Sequence, residues 1–198
     1  MITIYDLKPK FQGLLRPCTV FLANKGITAN QVTWSALVLS FLCGLLVYLS
    51  NGASWALLTL PFVLFLRMAL NAIDGMLARE HNMKSMKGAM LNEMTDVIAD
   101  TLLYMPFALV MGVTPSLLIL FVIIGIFTEM AGVVALAINN DRRYDGPMGK
   151  SDRAFVMGLL AILLSFDWLP TYMVTIYLSV ASILGLITLY KRMNNGIQ

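Results

Sequence analysis

The sequence predicts an all-α protein that crosses a membrane several times, and three observations support this prediction. Hydrophobic residues make up 59% of the chain, and the mean hydropathy of +0.78 is well above that of soluble globular domains. Apolar segments of about 20 residues, the length that crosses a bilayer core, follow one another along the chain. The Lys and Arg residues are concentrated in alternate connections between these segments. We therefore predict one polytopic domain of six transmembrane helices, with both termini on the cytoplasmic side.

Residues 1–27 form the first predicted element, an amphipathic segment that precedes the first span. Apolar and charged side chains alternate between Met1 and Pro17. This pattern is typical of a segment that lies in the plane of the membrane surface and is attracted to anionic lipids. Pro9 argues against one unbroken helix, and a solvated leader is the alternative interpretation.

The six-helix domain is predicted over residues 28–192 and is followed by a polar tail, residues 193–198. Thr28 is a suitable N-cap for the first span. Short polar connections separate the spans. The six predicted spans are about 28–50, 55–79, 88–110, 116–138, 153–166 and 172–189.

The distribution of positive charge predicts the orientation of the helices. Of the fourteen Lys and Arg residues, all but Arg67 fall in the N-terminal segment, the second-to-third connection, the fourth-to-fifth connection or the C-terminal end. Positive residues are retained on the cytoplasmic side of membrane proteins. We therefore expect a multi-pass protein of the cell (inner) membrane with its active site facing the cytoplasm, and we expect no nucleic acid partner.

Three charged residues are predicted to lie inside the membrane, where unpaired charges are costly. They are Arg67, Asp100 and Glu129. Counted from the cytoplasmic ends of their helices, all three lie about 15–18 Å inward. We predict that Arg67 is a structural counter-ion of Asp100, Glu129 or both.

The polar stretch from Asn71 to Asp100 straddles the second and third spans. At 3.6 residues per turn, its polar and small residues fall on one face of each helix. Two antiparallel helices joined by a short loop would direct these faces into one cleft. Carboxylates on facing helices can hold one or two Mg²⁺ ions that neutralise a pyrophosphate. The residues concerned are Asn71, Asp74 and Ala78 on the second span, and Gly88, Asn92, Asp96 and Asp100 on the third.

The spacing of this stretch is also the basis of a family resemblance. Asp74-Gly75, Ala78-Arg79, eight further residues, Gly88 and Asp96 follow in that order. This order resembles the signature of the CDP-alcohol phosphatidyltransferase family, D-x-x-D-G-x-x-A-R-x8-G-x-x-x-D-x-x-x-D. The resemblance implies transfer of a phosphatidyl group from CDP-diacylglycerol to an alcohol in phospholipid biosynthesis, with release of CMP, commonly by a homodimer in contact with membrane lipids.

The resemblance also implies roles for individual residues. Asp96 would be the general base and a metal ligand, and Asp74 would be a metal ligand for Mg²⁺ or Mn²⁺. The start of the first span resembles the nucleotide-side entry of the family, although helix capping alone is an equal alternative there. The implied CDP-binding residues are Asn30, Thr33, Asn71, Asp74, Gly75, Ala78, Arg79 and Gly88.

The chain departs from the signature at two positions, where asparagine replaces the first and third aspartates. These residues, Asn71 and Asn92, would occupy the remaining two metal positions with weaker amide ligands. Glu93 lies near the same helix face and could supply a replacement carboxylate. Three interpretations stay open: two metal ions with Glu93 recruited, one metal ion, or no catalysis.

A basic cluster at the start of the fifth span provides a candidate site for the acceptor. The N-terminus of a helix favours an anion, and in the family basic residues here approach the acceptor alcohol. The cluster favours a phosphorylated acceptor, and ordinary positive-inside charge is the alternative. Its residues are Arg142, Arg143, Lys150, Ser151 and Arg153.

Two other classes of function stay open at this point. The asparagines leave room for a catalytically impaired homologue that binds a CDP-lipid and has a regulatory or structural role. A small transporter or scaffold is the other, although the sequence contains no internal repeat of the transporter kind.

Overall fold

The computed structural model describes residues 4–197, with side chains from Phe11 onwards. Residues 1–3 and 198, the ends of the predicted amphipathic segment and of the predicted polar tail, lie outside the described residues. For residues 4–10 of the amphipathic segment only the backbone is described. All regular structure in the described range is helical. The helices are α1 (Ile4–Asn24), α2 (Ala29–Leu49), α3 (Ser54–Leu57), α4 (Thr59–Glu80), α5 (Met86–Tyr104), α6 (Pro115–Asn139), α7 (Lys150–Ser165) and α8 (Thr171–Asn195), with a 3-10 helix (Met105–Leu109) after α5.

Helix α1 is one continuous helix, so the predicted interruption at Pro9 is wrong. A proline inside a helix removes one backbone hydrogen bond and bends the chain, but tertiary contacts can hold the helix together. Two such contacts join α1 to α4. The rings of Phe11 and Phe65 meet edge to face with centroids 6.1 Å apart, and Arg16 lies 3.0 Å from Glu80.

The start of α2 confirms Thr28 as a capping residue. The Thr28 hydroxyl accepts a hydrogen bond from the backbone N–H of Gln31 at 3.3 Å. In return, the Gln31 side chain accepts the backbone N–H of Thr28 at 2.8 Å. This reciprocal pair satisfies two donors that a helix N-terminus leaves unpaired, and it fixes where α2 begins.

Two predicted spans are interrupted in the structure. The second is divided at Leu58 into α3 and α4, and the Thr59 hydroxyl donates to the Ala56 carbonyl across the division. In the third span, α5 ends at Tyr104 and continues as the 3-10 helix, which contains Pro106. Proline disfavours helical geometry in the residue before it, which explains why the α-helix stops there.

Four segments of the described chain are long and apolar enough to cross a membrane. They are Ala29–Leu49, Ser54–Glu80, Pro115–Asn139 and Thr171–Asn195. Helix α7 has 16 residues and so measures about 24 Å, shorter than a typical bilayer core. Helix α5 also falls outside this group, so six spans with a cytoplasmic N-terminus stay a prediction.

The described chain forms two compact units. Unit 1 comprises the residues up to Phe41 together with Val63–Ala99, and unit 2 comprises Leu42–Phe62 together with the residues from Asp100 onwards. The core of unit 1 joins α1, α2 and α4; its buried residues are Ala29, Val32, Ile73 and Leu77, with Leu15 and Leu22 packed against them.

In unit 2, helices α6 and α8 pack along each other. A glycine makes the close approach possible, because a Cβ atom at Gly185 would lie 2.7 Å from the side chain of Ile124. Small residues have this role at many helix contacts in membrane proteins. Helix α8 also extends to Asn195, so the predicted polar tail begins inside it.

Candidate active site

Asp74 is the central carboxylate of unit 1, and α2 holds it in place. The Asp74 side chain is buried, with 6% of its surface exposed, and its Oδ2 accepts a hydrogen bond from the Thr33 hydroxyl at 2.8 Å. The same hydroxyl lies 3.1 Å from the Ala29 carbonyl. A hydroxyl has one proton to donate, and an ionised carboxylate is the stronger acceptor. Thr33 therefore orients Asp74.

A cavity of about 780 Å³ opens beside this pair. Seven of the eight predicted CDP-binding residues line it, and Asn71 is the exception. Concave sites of this volume are typical of small-molecule binding. The lining residues are Ala29, Asn30, Thr33, Asp74, Gly75, Ala78, Arg79, Met83, Lys84, Ser85, Met86, Gly88, Ala89 and Asn92.

Two glycines shape the wall of the cavity. A Cβ atom at Gly75 would lie 3.3 Å from the guanidinium nitrogens of Arg79, so the glycine leaves room for this cation beside α4. A Cβ atom at Gly88 would lie 2.8 Å from the Asn30 side-chain oxygen and 2.9 Å from the Ser85 hydroxyl. Both glycines of the motif therefore allow polar groups to approach a helix backbone.

Ser85 sets the start of α5 at the edge of the cavity. Its hydroxyl accepts the backbone N–H of Gly88 at 2.9 Å, which is the usual hydrogen bond of a helix N-cap. The N-terminus of α5 and the side chains of Arg79 and Lys84 all lie at the cavity. This end of the site is therefore suited to an anion.

Asp96 lies one helical turn after Asn92 on α5, beside Asn71 and Arg67. The Asn71 side-chain nitrogen donates to Asp96 Oδ1 at 3.1 Å. Arg67 donates to the backbone carbonyl of Asp96 at 3.0 Å, and the same guanidinium nitrogen lies 3.6 Å from Asp96 Oδ1. Asp96 is therefore a half-buried carboxylate with a polar donor and a cation beside it.

The side-chain oxygens of Asp74 and Asn92 are suited to a hard divalent cation. Carboxylate and amide oxygens are ligands that Mg²⁺ accepts, usually as one or two carboxylates completed by waters and substrate phosphates. Asp74 and Asn92 both line the cavity, whereas Glu93 is not among its lining residues. In the described part of the chain, no three His, Cys, Asp or Glu residues are grouped so that they could hold a metal ion. The recruitment of Glu93 stays a prediction without support from the cavity.

Unit 2 contains a second polar centre, the arginine–carboxylate cluster of Asp100, Glu129, Arg153 and Arg192. Arg153 is 3% exposed, and its guanidinium donates at 3.0 Å to both Asp100 and Glu129. Arg192 donates to Glu129 at 3.3 Å and to the Thr128 carbonyl at 2.7 Å. Gly125 leaves the space for the Arg153 side chain.

The cluster changes one prediction. Arg153, predicted to contact the phosphate of an acceptor, is instead buried between two carboxylates and is a counter-ion of both Asp100 and Glu129. Burial explains this pairing, because a buried ion needs a partner with good geometry. Arg67 lies beside Asp96, and its role as a counter-ion of Asp100 or Glu129 stays a prediction.

Two other predicted acceptor residues also have protein partners. Arg142 donates to Glu129 at 2.9 Å, and Arg143 donates to the Asn195 carbonyl at 2.7 Å. Lys150 and Ser151 lie in the first turn of α7, where a phosphate contact stays a prediction.

Several residues of the site were missed by the sequence reasoning. The connection between α4 and α5 contributes Met83, Lys84 and Ser85 to the cavity. Ser85 had a local signal, since a serine three residues before Gly88 fits an N-cap. Arg192 had none, because its partner Glu129 is 63 residues away in the sequence.

The helical fold and the spacing of the motif residues agree with one family of transferases. The chain belongs to the CDP-alcohol phosphatidyltransferase family, whose profile matches residues 26–190.

The chain is similar to individual proteins over most of its length. The inner membrane protein YnbA of Escherichia coli is 48% identical over 193 residues, which cover 96% of this chain and 94% of YnbA. Two crystal structures of the Mycobacterium tuberculosis phosphatidylinositol phosphate synthase PgsA1 share the fold at 17% identity. The structure with CDP-DAG bound has a TM-score of 0.77 and covers 91% of this chain and 92% of its own. The complex with manganese and citrate has a TM-score of 0.76 and covers 91% and 87%.

Proposed function

We propose that this protein transfers a phosphatidyl group from CDP-diacylglycerol to an alcohol and releases CMP. The observation that carries the proposal is the cavity of unit 1, which is lined by seven residues that the family resemblance assigns to CDP binding, five of them in the signature itself. The Mycobacterium synthase of the same fold was crystallised with CDP-DAG, which supports a CDP-activated lipid as the donor. Membership of the family supports the reaction class.

The cavity would take the cytidine and pyrophosphate of the donor. Arg79 and Lys84 line it as cations and would neutralise part of the phosphate charge. Gly75 keeps the backbone of α4 open beside them, since a side chain there would meet Arg79. The acyl chains of the donor would remain in the membrane.

A divalent cation, Mg²⁺ or Mn²⁺, would be held on the cavity side by Asp74 and the Asn92 amide oxygen. When bound, it would supply charge neutralisation for the pyrophosphate. Thr33 fixes the direction of the Asp74 carboxylate through the 2.8 Å hydrogen bond. Ligand orientation of this kind is a general function of residues around a metal site.

Asp96 would act as the general base. Its carboxylate would accept the proton of the acceptor hydroxyl while the hydroxyl oxygen bonds to the phosphorus of the phosphatidyl group. The bond from that phosphorus to the CMP oxygen breaks, and CMP leaves with the electron pair. Asn71 and Arg67 hold the carboxylate from one side, which preorganises it for this transfer.

We define the acceptor only by its reacting hydroxyl. Arg142, Arg143 and Arg153 bind protein oxygens in unit 2, so they no longer favour a phosphorylated acceptor. The distribution of Lys and Arg supports an active site that faces the cytoplasm, in the inner membrane where the relative from Escherichia coli is found.

The experiment is CMP release from CDP-diacylglycerol by the purified protein, with and without Mg²⁺ or Mn²⁺, across a panel of alcohols. Metal-dependent release that requires one alcohol and is lost in Asp96→Asn supports the proposal. Asn71 and Asn92 favour one competing function, a homologue that binds the CDP-lipid without turnover. Retained binding of CDP-diacylglycerol with no CMP release under any condition would support that function instead.

A further inference from the structure

The contact between Asn71 and Asp96 has a definite chemical direction. A side-chain amide has a donating nitrogen and an accepting oxygen, whereas an ionised carboxylate only accepts. At 3.1 Å from Asp96 Oδ1, the group of Asn71 that faces the carboxylate must therefore be the NH₂. Asn71 presents a hydrogen-bond donor where the family signature has an aspartate.

This substitution changes what can hold the two side chains together. Two aspartates at positions 71 and 96 would repel each other at this distance unless a cation lay between them. With asparagine at position 71, the hydrogen bond performs this function without a cation. Arg67 adds a full positive charge 3.6 Å from the same Oδ1. The Asp96 oxygen that faces Asn71 is therefore already served by an amide donor and a guanidinium.

The side of the site that faces the cavity contains a carboxylate and an amide. Asp74 is the one carboxylate among the residues that line the cavity, and the Asn92 amide lies with it. Asp96 and Asn71 are not among the lining residues. One carboxylate with amide, water and pyrophosphate oxygens is a sufficient set for one Mg²⁺ ion. A second divalent ion at Asp96 would have that one carboxylate, with the Asn71 amide and the positive charge of Arg67 beside it.

We infer that the site binds one divalent cation, at Asp74 and Asn92, and that Asn71 positions Asp96 by a hydrogen bond in place of a second cation. This inference rests on the proposed function, because it concerns the same site. It makes Asn71 a positioning residue, not a metal ligand. It also accounts for both asparagines at once, because a site that holds one cation in place of two needs fewer carboxylates.

The test is the metal stoichiometry of the full chain in detergent micelles. Mn²⁺ is titrated in the presence of CDP and followed by electron paramagnetic resonance, which reports the free ion and distinguishes an isolated bound ion from an exchange-coupled pair. We expect one Mn²⁺ per chain and no coupling. The double variant Asn71→Asp/Asn92→Asp should bind a second Mn²⁺ and give a coupled spectrum.

Asn51→Asp is a control for an asparagine-to-aspartate change, because it adds one carboxylate at an exposed turn of unit 2 and should leave the stoichiometry at one. Two coupled Mn²⁺ ions in the natural chain would overturn the inference, and so would the absence of any Mn²⁺ binding. A double variant that still binds one ion would also overturn it, because the asparagines would then not limit the metal content.

A second variant tests the positioning role directly. Asn71→Ala should leave the Mn²⁺ affinity unchanged and lower kcat about 10- to 100-fold, with little change in KM for CDP-diacylglycerol, because it removes a hydrogen bond to a charged group. If Asn71→Ala weakens Mn²⁺ binding as much as Asp74→Asn does, Asn71 is a ligand and the inference fails. Mn²⁺ binding with CDP needs no turnover, so a chain that binds one ion but never releases CMP would refute the proposed function alone.

Discussion

The hydrogen bond from Thr33 to Asp74 leads to a sharp prediction about metal affinity. Thr33→Val keeps the shape of the side chain and removes its hydroxyl, which lies 2.8 Å from Asp74 Oδ2. Both side chains are buried, with 4% and 6% of their surfaces exposed, so bulk water has little access to replace the lost donor. The carboxylate loses a hydrogen bond that orients it.

The size of the effect follows from the type of bond. A hydrogen bond to a charged group contributes about 1.5–3 kcal/mol, which corresponds to about 10- to 150-fold in an equilibrium constant. Residues that orient metal ligands typically change metal affinity by about 10- to 100-fold. We therefore expect Thr33→Val to weaken Mn²⁺ binding by about 10- to 100-fold.

The assay is Mn²⁺ titration of the purified protein with CDP present, followed by electron paramagnetic resonance. Ser40→Ala is a matched control in the same helix, because the Ser40 hydroxyl is buried and donates to the Ala36 carbonyl within α2. This variant should bind Mn²⁺ normally, and Thr33→Ser should retain most of the affinity. Normal Mn²⁺ affinity in Thr33→Val would refute the reasoning, since Asp74 would then be oriented without this bond.

Two further predictions concern stability, measured as the melting temperature in detergent. Arg153→Met removes the cation shared by Asp100 and Glu129, of which Glu129 keeps Arg142 and Arg192. It should destabilise unit 2 by about 3 kcal/mol, mainly through the buried charge of Asp100. Lys191→Met at an exposed position should have little effect, and equal melting temperatures of the two variants would show that the ion pairs of Arg153 contribute nothing. Gly44→Ala would press a Cβ atom against the Leu102 carbonyl oxygen and should cost about 1–3 kcal/mol. The control is Gly13→Ala, whose added Cβ atom would meet no atom within 4 Å. This variant should be neutral or stabilised by up to about 1 kcal/mol. A destabilised Gly13→Ala variant together with a normal Gly44→Ala variant would contradict the packing described for these helices.

Helix periodicity placed the cavity residues of α4 on one face, whereas Asn30 and Thr33 followed only from the family resemblance. Asp74 and Ala78 are four residues apart on α4, and their position on one face requires only that the helix forms. The capping role of Thr28 also depends on a short-range contact, since its partner Gln31 is three residues away. Such short-range relations are visible before any tertiary structure is known.

Long-range partners could not be predicted in the same way. Arg153 meets Asp100 and Glu129 across 53 and 24 residues, whereas the sequence analysis assigned Arg153 to the acceptor and named Arg67 as the counter-ion of these carboxylates. Depth along a helix could be counted, but the direction of each side chain depends on how the helices pack. The same limit applies to Pro9, where contacts between α1 and α4 outweigh a local signal.

The central claim, phosphatidyl transfer to an alcohol, is tested most directly by an isotope measurement. The protein is given CDP-diacylglycerol and an acceptor alcohol labelled with ¹⁸O at its hydroxyl, and CMP and the lipid product are both quantified by mass spectrometry. We predict one labelled phosphatidyl product for each CMP released, because the acceptor oxygen forms the new bond to phosphorus. CMP released without a labelled lipid product would contradict the claim, because water would then be the acceptor.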